Sequence, residues 1–438
     1  MKFNKYFKNF ALFLFILGTT AIYTFVQAQN FPVPRENKLL NGTKLLVWND
    51  PKSDKVTVKL RVHSGSAFDP LGKEGVMQLL SDILFPTQST REFFTEDLNG
   101  SFEIVTNYDY IQINASGDAD KFLTILETLA PAVTNPQINK ETTEKVRTAL
   151  LARVQELEKN PSYVADQAAA KRLLGNFPYG RPQLGSSESL AKIDFADLLT
   201  ADQKFFTADN ATITISGNVN ADLALRATKR LFGGWLKSDK KVPATFAQPD
   251  APSSNQVKVE MPNIEKIYTA TVIDTVGRSD KDFWATQALS KIWKQKYCFN
   301  NETSRNGELK YEPHLLRGIY FIRRSAMPSE TLPVYSGPCA LFGLTVEGKT
   351  VLETITQNEF DSVKQAILAD FQQKTQAAPA LTDLWLDAET YKLVSLKDEL
   401  QKINSMTLSD VQRVEEKLRK QPTVTVSLTK QTEQKQNN

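Results

Sequence analysis

Histidine is almost absent from this sequence. The 438 residues include only two histidines, His63 and His314. Zinc in proteins is bound mainly by His, Cys and carboxylate side chains, and a common helical site uses two His placed four residues apart. No His-x-x-x-His pair can be formed in this chain, so that kind of zinc site is excluded. We expect both histidines to be ordinary structural or surface residues.

Cysteine is equally scarce, since Cys298 and Cys339 are the only two. In an exported protein they could form one disulfide, which loop-closure entropy would make worth roughly 4 kcal/mol. They could equally remain two buried free thiols. The sequence leaves both possibilities open.

The chain also lacks a strong excess of charge. It has 53 Lys and Arg against 50 Asp and Glu, a formal net charge of +3. Three of the lysines lie in the first eight residues, so removal of the N-terminal segment would bring the net charge to about zero. Such a balance gives no indication of nucleic-acid binding.

The N-terminal 28 residues have the pattern of a signal peptide. Lys2, Lys5 and Lys8 precede an apolar run at residues 10–17, and Val26-Gln27-Ala28 offers a cleavage site. A membrane anchor is the alternative, but Gly18 and several threonines interrupt the apolar stretch, which is short for a span of about 20 residues. No Cys follows the site, which argues against a lipoprotein. We therefore predict an exported protein, periplasmic or otherwise extracytoplasmic, without a further membrane segment.

The rest of the chain reads as an internal duplication. Two series of elements follow one another in the same order, with offsets of about 210 to 230 residues, and Leu-Glu-Thr recurs at 126–128 and 352–354. Apolar alternation and helical periodicity predict these elements. The first series has strands at 44–49, 55–62, 109–115 and 211–216 with helices at 74–85, 119–130 and 140–158. The second has strands at 256–260, 267–274, 339–346 and 423–428 with helices at 282–295, 349–357 and 359–374.

These elements predict an α+β fold of two duplicated domains, each a mostly antiparallel sheet with helices packed on one side. The domains are expected at residues 30–236 and 256–432. Residues 237–255, rich in Pro, Ala, Ser and Lys, have the composition of a linker, and residues 433–438 form a tail.

Three stretches carry a resemblance to a known family. They are residues 175–219, which include GNFPYGRPQLG and DNATITISG, residues 41–48 (NGTKLLVW) and residues 64–85 (SGSAFDPLGKEGVMQLLSDILF). They resemble the zinc peptidases of the insulinase and mitochondrial-processing-peptidase type, in the half-length form. The resemblance extends over residues 30–430 and is strongest in the first half.

The resemblance implies a zinc site on the helix at 74–85, and the residues for it are missing. The family has His-x-x-Glu-His on that helix and a Glu on the next long helix. Here the matching positions hold Gln78, Ser81 and Asp82, and the third-ligand position falls at Arg153, or at Ala152 with a shift of one residue. We predict no zinc and no catalysis. The polar residues would form either a different polar site or only a polar helix face.

The resemblance also implies peptide-binding residues. Family members add an extended substrate to an edge strand, which resembles residues 100–106 here, with Ser101, Phe102, Glu103 and Ile104 as candidates. Glu103 replaces the family's Asn, so this could also be an ordinary edge strand guarded by a charge.

The second half of such proteins supplies an Arg and a Tyr seven residues apart that hold the substrate. Residues 304–320 match this region, with Tyr320 as the Tyr and Lys310 or Arg317 in place of the Arg. Neither spacing is seven, because residues 311–317 read as a small insertion. A strand Tyr and a solvated cation are the alternative.

Three functions follow from the resemblance. The first is a non-catalytic subunit that binds extended peptides and pairs with a homologous zinc-bearing chain, or with itself; zinc is expected only in the partner. The second is a structural or assembly protein of the same fold. The third is a metal-dependent peptidase with a site that the sequence does not reveal.

Overall fold

Two β-sheets with helices around them form the protein. The computed structural model describes residues 31–238, 242–252, 256–295, 307–326 and 354–431. The strands in these parts are β1 (Arg35–Lys38), β2 (Lys44–Asn49), β3 (Lys55–Val62), β4 (Ser101–Thr106), β5 (Ile111–Asp118), β6 (Ala211–Gly217), β7 (Gln256–Met261), β8 (Ile267–Thr275), β9 (Gly307–Pro313), β10 (Gly318–Ala326) and β11 (Thr423–Lys430).

The helices lie between these strands. They are α1 (Val76–Leu84), α2 (Ser89–Glu96), α3 (Phe122–Thr134), α4 (Lys140–Glu158), α5 (Pro161–Leu174), α6 (Ser187–Leu190), α7 (Phe195–Phe205), α8 (Ala221–Phe232), α9 (Phe283–Trp293), α10 (Gln357–Gln376), α11 (Ala378–Tyr391), α12 (Leu396–Ser405) and α13 (Leu408–Arg419). Below, the first half is residues 34–236 and the second half is residues 256–431.

The two sheets confirm the duplication. The first has the order β1-β2-β6-β3-β5-β4 and the second the order β7-β11-β8-β10-β9. Apart from β1, the two orders are equivalent. The strands β2 and β6 pair in parallel, as do β7 and β11, and the other neighbouring strands are antiparallel. The predicted α+β fold with mostly antiparallel sheets is therefore present. In the first sheet β4 lies at the edge.

Each half places its own helices on one face of its sheet. In the first half, α1, α3 and α8 cover the face that carries Leu45, Val58 and Ile213, and this contact forms the larger apolar core. In the second half, α9 and α13 cover the face that carries Tyr320. This is the predicted arrangement of an apolar sheet face under amphipathic helices.

The opposite face of each sheet is covered by a helix from the other half, which the sequence did not predict. Helix α5 packs on β8 and β11 of the second sheet through Ala165 and Ala169, and these small side chains let it lie close to Val272 and Val426. Helix α11 packs on β3 and β6 of the first sheet. The halves therefore exchange one helix each.

The elements that were not predicted include β1, β9, β10, α2, α5, α8, α11, α12 and α13. The predicted strand at 339–346, most of the predicted helix at 349–357, both cysteines and the N-terminal 28 residues lie outside the described residues. In the predicted linker, residues 242–252 have no regular secondary structure, and Phe246 packs on Phe68 with ring centroids 5.6 Å apart. Within the described ranges, no helix combines the length and apolar character needed to span a bilayer.

Candidate functional site

Helix α1, which carries the predicted site, is held by a buried carboxylate at its start. Asp69 accepts hydrogen bonds from the backbone N–H groups of Gly75 and Met77, both at 2.8 Å. Burial raises the pKa of Asp69 to about 7. Gly75 has a φ of +106°, and a Cβ there would lie 2.6 Å from the Leu190 side chain, so the turn into α1 requires glycine.

The arginine of the PYGRP stretch fixes the loop before α1. Arg181 donates from Nη1 to the carbonyl oxygen of Asp69 at 2.8 Å and from Nη2 to that of Ala67 at 3.0 Å. Its side chain is buried. The part of the sequence most characteristic of the resemblance therefore positions α1 by backbone contacts.

The polar residues of α1 bond to one another. Gln78 donates from Nε2 to Asp82 Oδ1 at 2.8 Å, and Ser81 donates to the Gln78 carbonyl oxygen at 2.8 Å. Thr106 on β4 donates to Ser81 Oγ at 2.7 Å. Burial raises the pKa of Asp82 to about 6, although the Gln78 hydrogen bond and the positive charge of Arg153 lower it in part.

This set of side chains does not fit a zinc ion. Asp82 is the only zinc-type ligand in it, its carboxylate already accepts from Gln78, and the guanidinium of Arg153 lies close enough to repel a cation. Across the described ranges, no three His, Cys, Asp or Glu side chains cluster as a metal site would require. The predicted general-base position holds Ser81, whose hydroxyl has hydrogen-bond partners on both sides.

A cavity of about 430 Å³ lies beside these residues. It lies within the usual size range of ligand sites. One wall is the edge strand β4 with Glu103 and Ile104, and the floor includes Gln78 and Arg153. The second half closes it with residues of β9 and β10, and α5 contributes Tyr163 and Asp166. The structure thus brings together four of the residues singled out from the sequence.

Two other predicted peptide contacts do not line this cavity. Phe102 points into the core, with its ring centroid 5.0 Å from that of Phe94. Ser101 bonds through its hydroxyl to the hydroxyl of Ser116 at 2.9 Å. The predicted stretch is an edge strand, and its part next to the cavity is residues 103–106.

In the described part of the chain, no strand pairs with the outer edge of β4. Asn107 N–H donates to the Tyr110 carbonyl oxygen and closes the turn to β5. Because the bonds of an antiparallel ladder alternate, the backbone groups of Ile104 and Thr106 then point away from β5. Gln183 donates to the Thr106 carbonyl oxygen at 2.5 Å and so marks one end of the open edge.

The prediction that Tyr320 contacts peptide is wrong for this structure. Tyr320 is fully buried on the face of β10 that packs against α9, and its hydroxyl donates to the carbonyl oxygen of Thr286 at 2.6 Å. Burial raises its pKa well above the ordinary range. The neighbours Ile319 and Phe321 point to the other face and line the cavity, because side chains alternate along a strand.

Neither candidate cation of the second half lines the cavity. Lys310 pairs with Glu312 at 2.7 Å, and Arg317 pairs with Asp274 at 2.8 Å and covers the ring of Phe177. In the second half, the arginine that lines the cavity is Arg323, which the sequence did not single out. Its Nε donates to both oxygens of Asp166, at 2.9 and 2.7 Å, and its Nη1 donates to Glu308 at 2.9 Å.

Behind the cavity, two hairpin turns meet. Tyr179 of the PYGRP stretch donates to Asp109 at 2.8 Å, and Asp109 also accepts from the backbone N–H of Leu315 at 3.1 Å. The ring of His314 lies on Tyr179, with centroids 4.5 Å apart. His63 lies elsewhere, between the hydroxyls of Thr390 and Thr212, each at 2.9 Å. The two histidines occupy structural positions, as predicted.

The duplicated sheets, the helix-and-edge-strand cavity and the altered helix face define a protein with zinc-peptidase architecture. A family model described as insulinase, peptidase family M16, matches residues 44–187, and one described as the peptidase M16 inactive domain matches residues 192–303. The chain belongs to the insulinase family.

Similar proteins include peptidases from bacteria and mitochondria. An uncharacterized zinc protease of Rickettsia felis is 26% identical over 230 residues, which cover 50% of this chain and 54% of that protein. The mitochondrial-processing peptidase subunit beta of Bos taurus is 22% identical over 70% of this chain and 67% of its own length. The Rickettsia match therefore spans about half of that relative.

The fold is shared with solved structures. A protease from Helicobacter pylori superposes with a TM-score of 0.77 at 18% identity, over 91% of this chain and all of that chain. At this level of identity the similarity supports the fold and says nothing further about activity.

Proposed function

We propose that this chain is a non-catalytic member of the insulinase family that binds extended peptides and pairs with a zinc-bearing chain of the same family. The observation that carries the proposal is the contrast between two neighbouring features. On the helix face expected to bind zinc, Gln78 donates to Asp82, and Ser81 accepts a hydrogen bond from Thr106. The adjacent edge strand β4, in contrast, lines a cavity.

Loss of zinc chemistry follows from the side chains of α1 and α4. A zinc peptidase needs three protein ligands, an open coordination position and a base near the metal-bound water. Here Gln78 and Asp82 satisfy one another, and Ser81 cannot take a proton near neutral pH. Rate enhancement of about 10²–10⁴ from a general base is thereby lost.

Peptide binding needs less than catalysis does. Strand addition uses backbone N–H and C=O groups, which are the same for every residue, so replacement of the family's Asn by Glu103 does not prevent it. The cavity keeps Ile104 and Thr106 at its wall and apolar contacts from Ile319 and Phe321 opposite them. An extended segment would lie between these two walls.

Pairing with a zinc-bearing chain supplies the missing chemistry. The bovine relative is named as one subunit of a peptidase, which supports an assembly of more than one chain. Such an interface would need to bury at least about 1,000 Å² to be stable. Export to an extracytoplasmic compartment is part of the proposal and rests on the N-terminal pattern.

The test is co-expression of this chain with an insulinase-family chain from the same source that has an intact His-x-x-Glu-His. We expect the two to co-purify and the pair to hydrolyse a mixed peptide library faster than the zinc-bearing chain alone. A matched control replaces the partner's zinc ligands and should abolish turnover without separating the chains.

Separate purification with unchanged turnover would contradict the pairing. If the chain in addition binds no peptide, the remaining function is a structural or assembly role for the fold. Turnover by this chain alone, sensitive to a chelator, would show instead that it is a peptidase with a different site.

A further inference from the structure

Two opposite charges in the cavity have no ion-pair partner among the residues that the structure describes. The charged side chains that line it are Glu103, Arg153, Asp166, Glu312 and Arg323. Three of them are paired: Arg323 with Asp166 at 2.7 Å, and Glu312 with Lys310 at 2.7 Å. Glu103 and Arg153 make no ion pair or hydrogen bond with any side chain in the described part of the chain. An unpaired charge next to an open strand edge can recognise a charge on whatever adds to that edge.

Arg153, where the resemblance places the third zinc ligand unless the match shifts by one residue to Ala152, puts a positive charge beside the altered face of α1. Its charge lowers the pKa of Asp82, so the guanidinium lies close to the altered helix face. A guanidinium presents five N–H donors in a rigid plane and prefers carboxylates, which it binds with two parallel hydrogen bonds. Arg153 therefore offers a positive charge that can bind a carboxylate and cannot activate water as a metal ion does.

The two charges lie on opposite faces of β4. Phe102 and Thr106 point toward the helices, since Phe102 packs on Phe94 and Thr106 bonds to Ser81. Alternation along the strand places Glu103 on the other face. Arg153 is on the helix side, because α4 packs on α1.

We propose that this site selects an extended peptide with a carboxylate on the side of Arg153 and a basic side chain on the side of Glu103. This inference rests on the proposed function, because it presumes strand addition at β4. Successive side chains of an added strand also point to opposite faces. The position numbers of the acidic and the basic residue must therefore differ by an odd number, so that the two are adjacent or three positions apart.

The test measures affinities of short blocked peptides for the purified chain by isothermal titration calorimetry. The matching probe is acetyl-Thr-Val-Glu-Lys-Val-Thr-amide, in which Glu and Lys are adjacent. The comparison peptide, acetyl-Thr-Glu-Val-Lys-Val-Thr-amide, has the same composition, but Glu and Lys are two positions apart. The neutral reference is acetyl-Thr-Val-Gln-Gln-Val-Thr-amide. We expect the matching probe to bind about five- to tenfold more tightly than the other two.

Substitutions then assign the charges. Arg153→Gln and Glu103→Gln should each bring the ratio of the two affinities, matching probe against neutral peptide, close to one. The matched control is Lys145→Gln, which removes an exposed cation on the same helix α4 outside the cavity. This variant should bind all three peptides with the affinities of the parent chain.

The carboxylate could come from a side chain or from the end of a peptide. A Gln-for-Glu version of the matching probe with a free C-terminus separates these sources. If its affinity falls in Arg153→Gln, the C-terminal carboxylate is the group that binds.

Two results would overturn the inference in different ways. Equal affinities for all charged and neutral probes, unaffected by Arg153→Gln, would refute the charge selection while peptide binding itself stands. Absence of binding by every probe, the neutral one included, would refute the proposed peptide binding and this inference with it.

Discussion

At the scale of single residues, burial decides what the altered helix face can do. Asp82 is a carboxyl group held inside the protein, and its pKa rises from 3.8 to about 6 because desolvation outweighs the nearby amide and guanidinium. In a zinc peptidase this position would offer a ligand to a metal. Here it is a partly protonated acid at mildly acidic pH, bonded to Gln78.

The first prediction concerns Asp82→Asn. A carboxyl whose pKa is higher in the folded state than in the unfolded state favours folding when protonated, and this contribution is lost as the pH rises from about 4 to about 6. Asn keeps the acceptor for Gln78 and has no charge. From pH 4.5 to pH 8 the variant should therefore gain about 2 kcal/mol of unfolding free energy relative to the parent chain, an estimate from the size of the shift.

Urea denaturation at the two pH values measures this change. Asp118→Asn is the control of opposite sign, because the bond from Lys55 lowers the pKa of Asp118 and its stabilising effect is present above the unfolded pKa. The raised pKa of Asp82 would be contradicted if the unfolding free energy of Asp82→Asn, minus that of the parent chain, were smaller at pH 8 than at pH 4.5.

The second prediction concerns Tyr320→Phe. Because the Tyr320 hydroxyl donates to a buried carbonyl oxygen away from the cavity, its loss should cost about 1 kcal/mol of unfolding free energy. The affinity for the neutral peptide described above should not change. Weaker peptide binding with unchanged stability would restore Tyr320 as a peptide contact.

At the scale of elements, the exchange of α5 and α11 joins the halves by two kinds of contact. Helix α5 contacts the second sheet through alanines and one ion pair, Asp166–Arg323, whereas α11 contacts the first sheet through two ion pairs to buried cations. Lys59 pairs with Asp383 at 2.6 Å and Arg61 with Asp387 at 2.7 Å, and both cations are nearly fully buried on β3. These ion pairs explain why β3 carries cations on one face and valines on the other.

The third prediction is that Asp387→Ala strongly destabilises the chain. It would leave Arg61 buried without its carboxylate, which should cost roughly 2–4 kcal/mol given that Asp387 is partly exposed. Denaturation in urea measures the effect. Glu188→Ala, which breaks the exposed pair with Lys192, is the control and should show no measurable change. Equal effects of the two substitutions would contradict the importance of the buried pair.

The sequence predicted elements best where apolar alternation was strong. The bounds of β2, β3 and α4 agree with the structure to the residue, because these segments combine clear periodicity with an N-cap or a turn. Helices α5 and α11 were missed as sheet-covering elements. The alanines of α5 and the acidic residues of α11 give weak amphipathic patterns. The strands on which each helix packs also lie about a hundred or more residues away in the sequence.

The candidate site shows the same division. The resemblance to the family identified Gln78, Ser81, Asp82 and Arg153 together with the edge strand. It could not identify Asp166 and Arg323, because only the packing of α5 on the second sheet brings them to the cavity. The sequence also pointed to Tyr320, whereas it is the neighbouring Ile319 and Phe321 of β10 that line the cavity.

At the scale of the whole molecule, the two halves share one arrangement of strands and helices but contribute different parts of the cavity. The first half holds the altered helix face and the open edge, and the second half closes the cavity over them. The PYGRP stretch joins the two, because the backbone N–H of Leu316 in the second half donates to the Tyr179 hydroxyl at 3.2 Å. The halves therefore form the cavity together.

The fourth prediction follows from the helix exchange. Limited proteolysis should cut first near residues 242–252, since this segment lacks regular structure and is mostly exposed. The two fragments should nevertheless elute together in size-exclusion chromatography and separate only in denaturant. Preferred cutting within α1 or α4, or spontaneous separation of the fragments, would contradict the arrangement.

Zinc content is the most direct test of the central claim that this chain supplies peptide contacts and no metal chemistry. The chain would be produced in zinc-replete medium, purified alone, and measured for metal by elemental analysis. The side chains at Gln78, Ser81, Asp82 and Arg153 predict no stoichiometric zinc. One zinc ion per chain, released by a chelator together with loss of peptide hydrolysis, would contradict the claim.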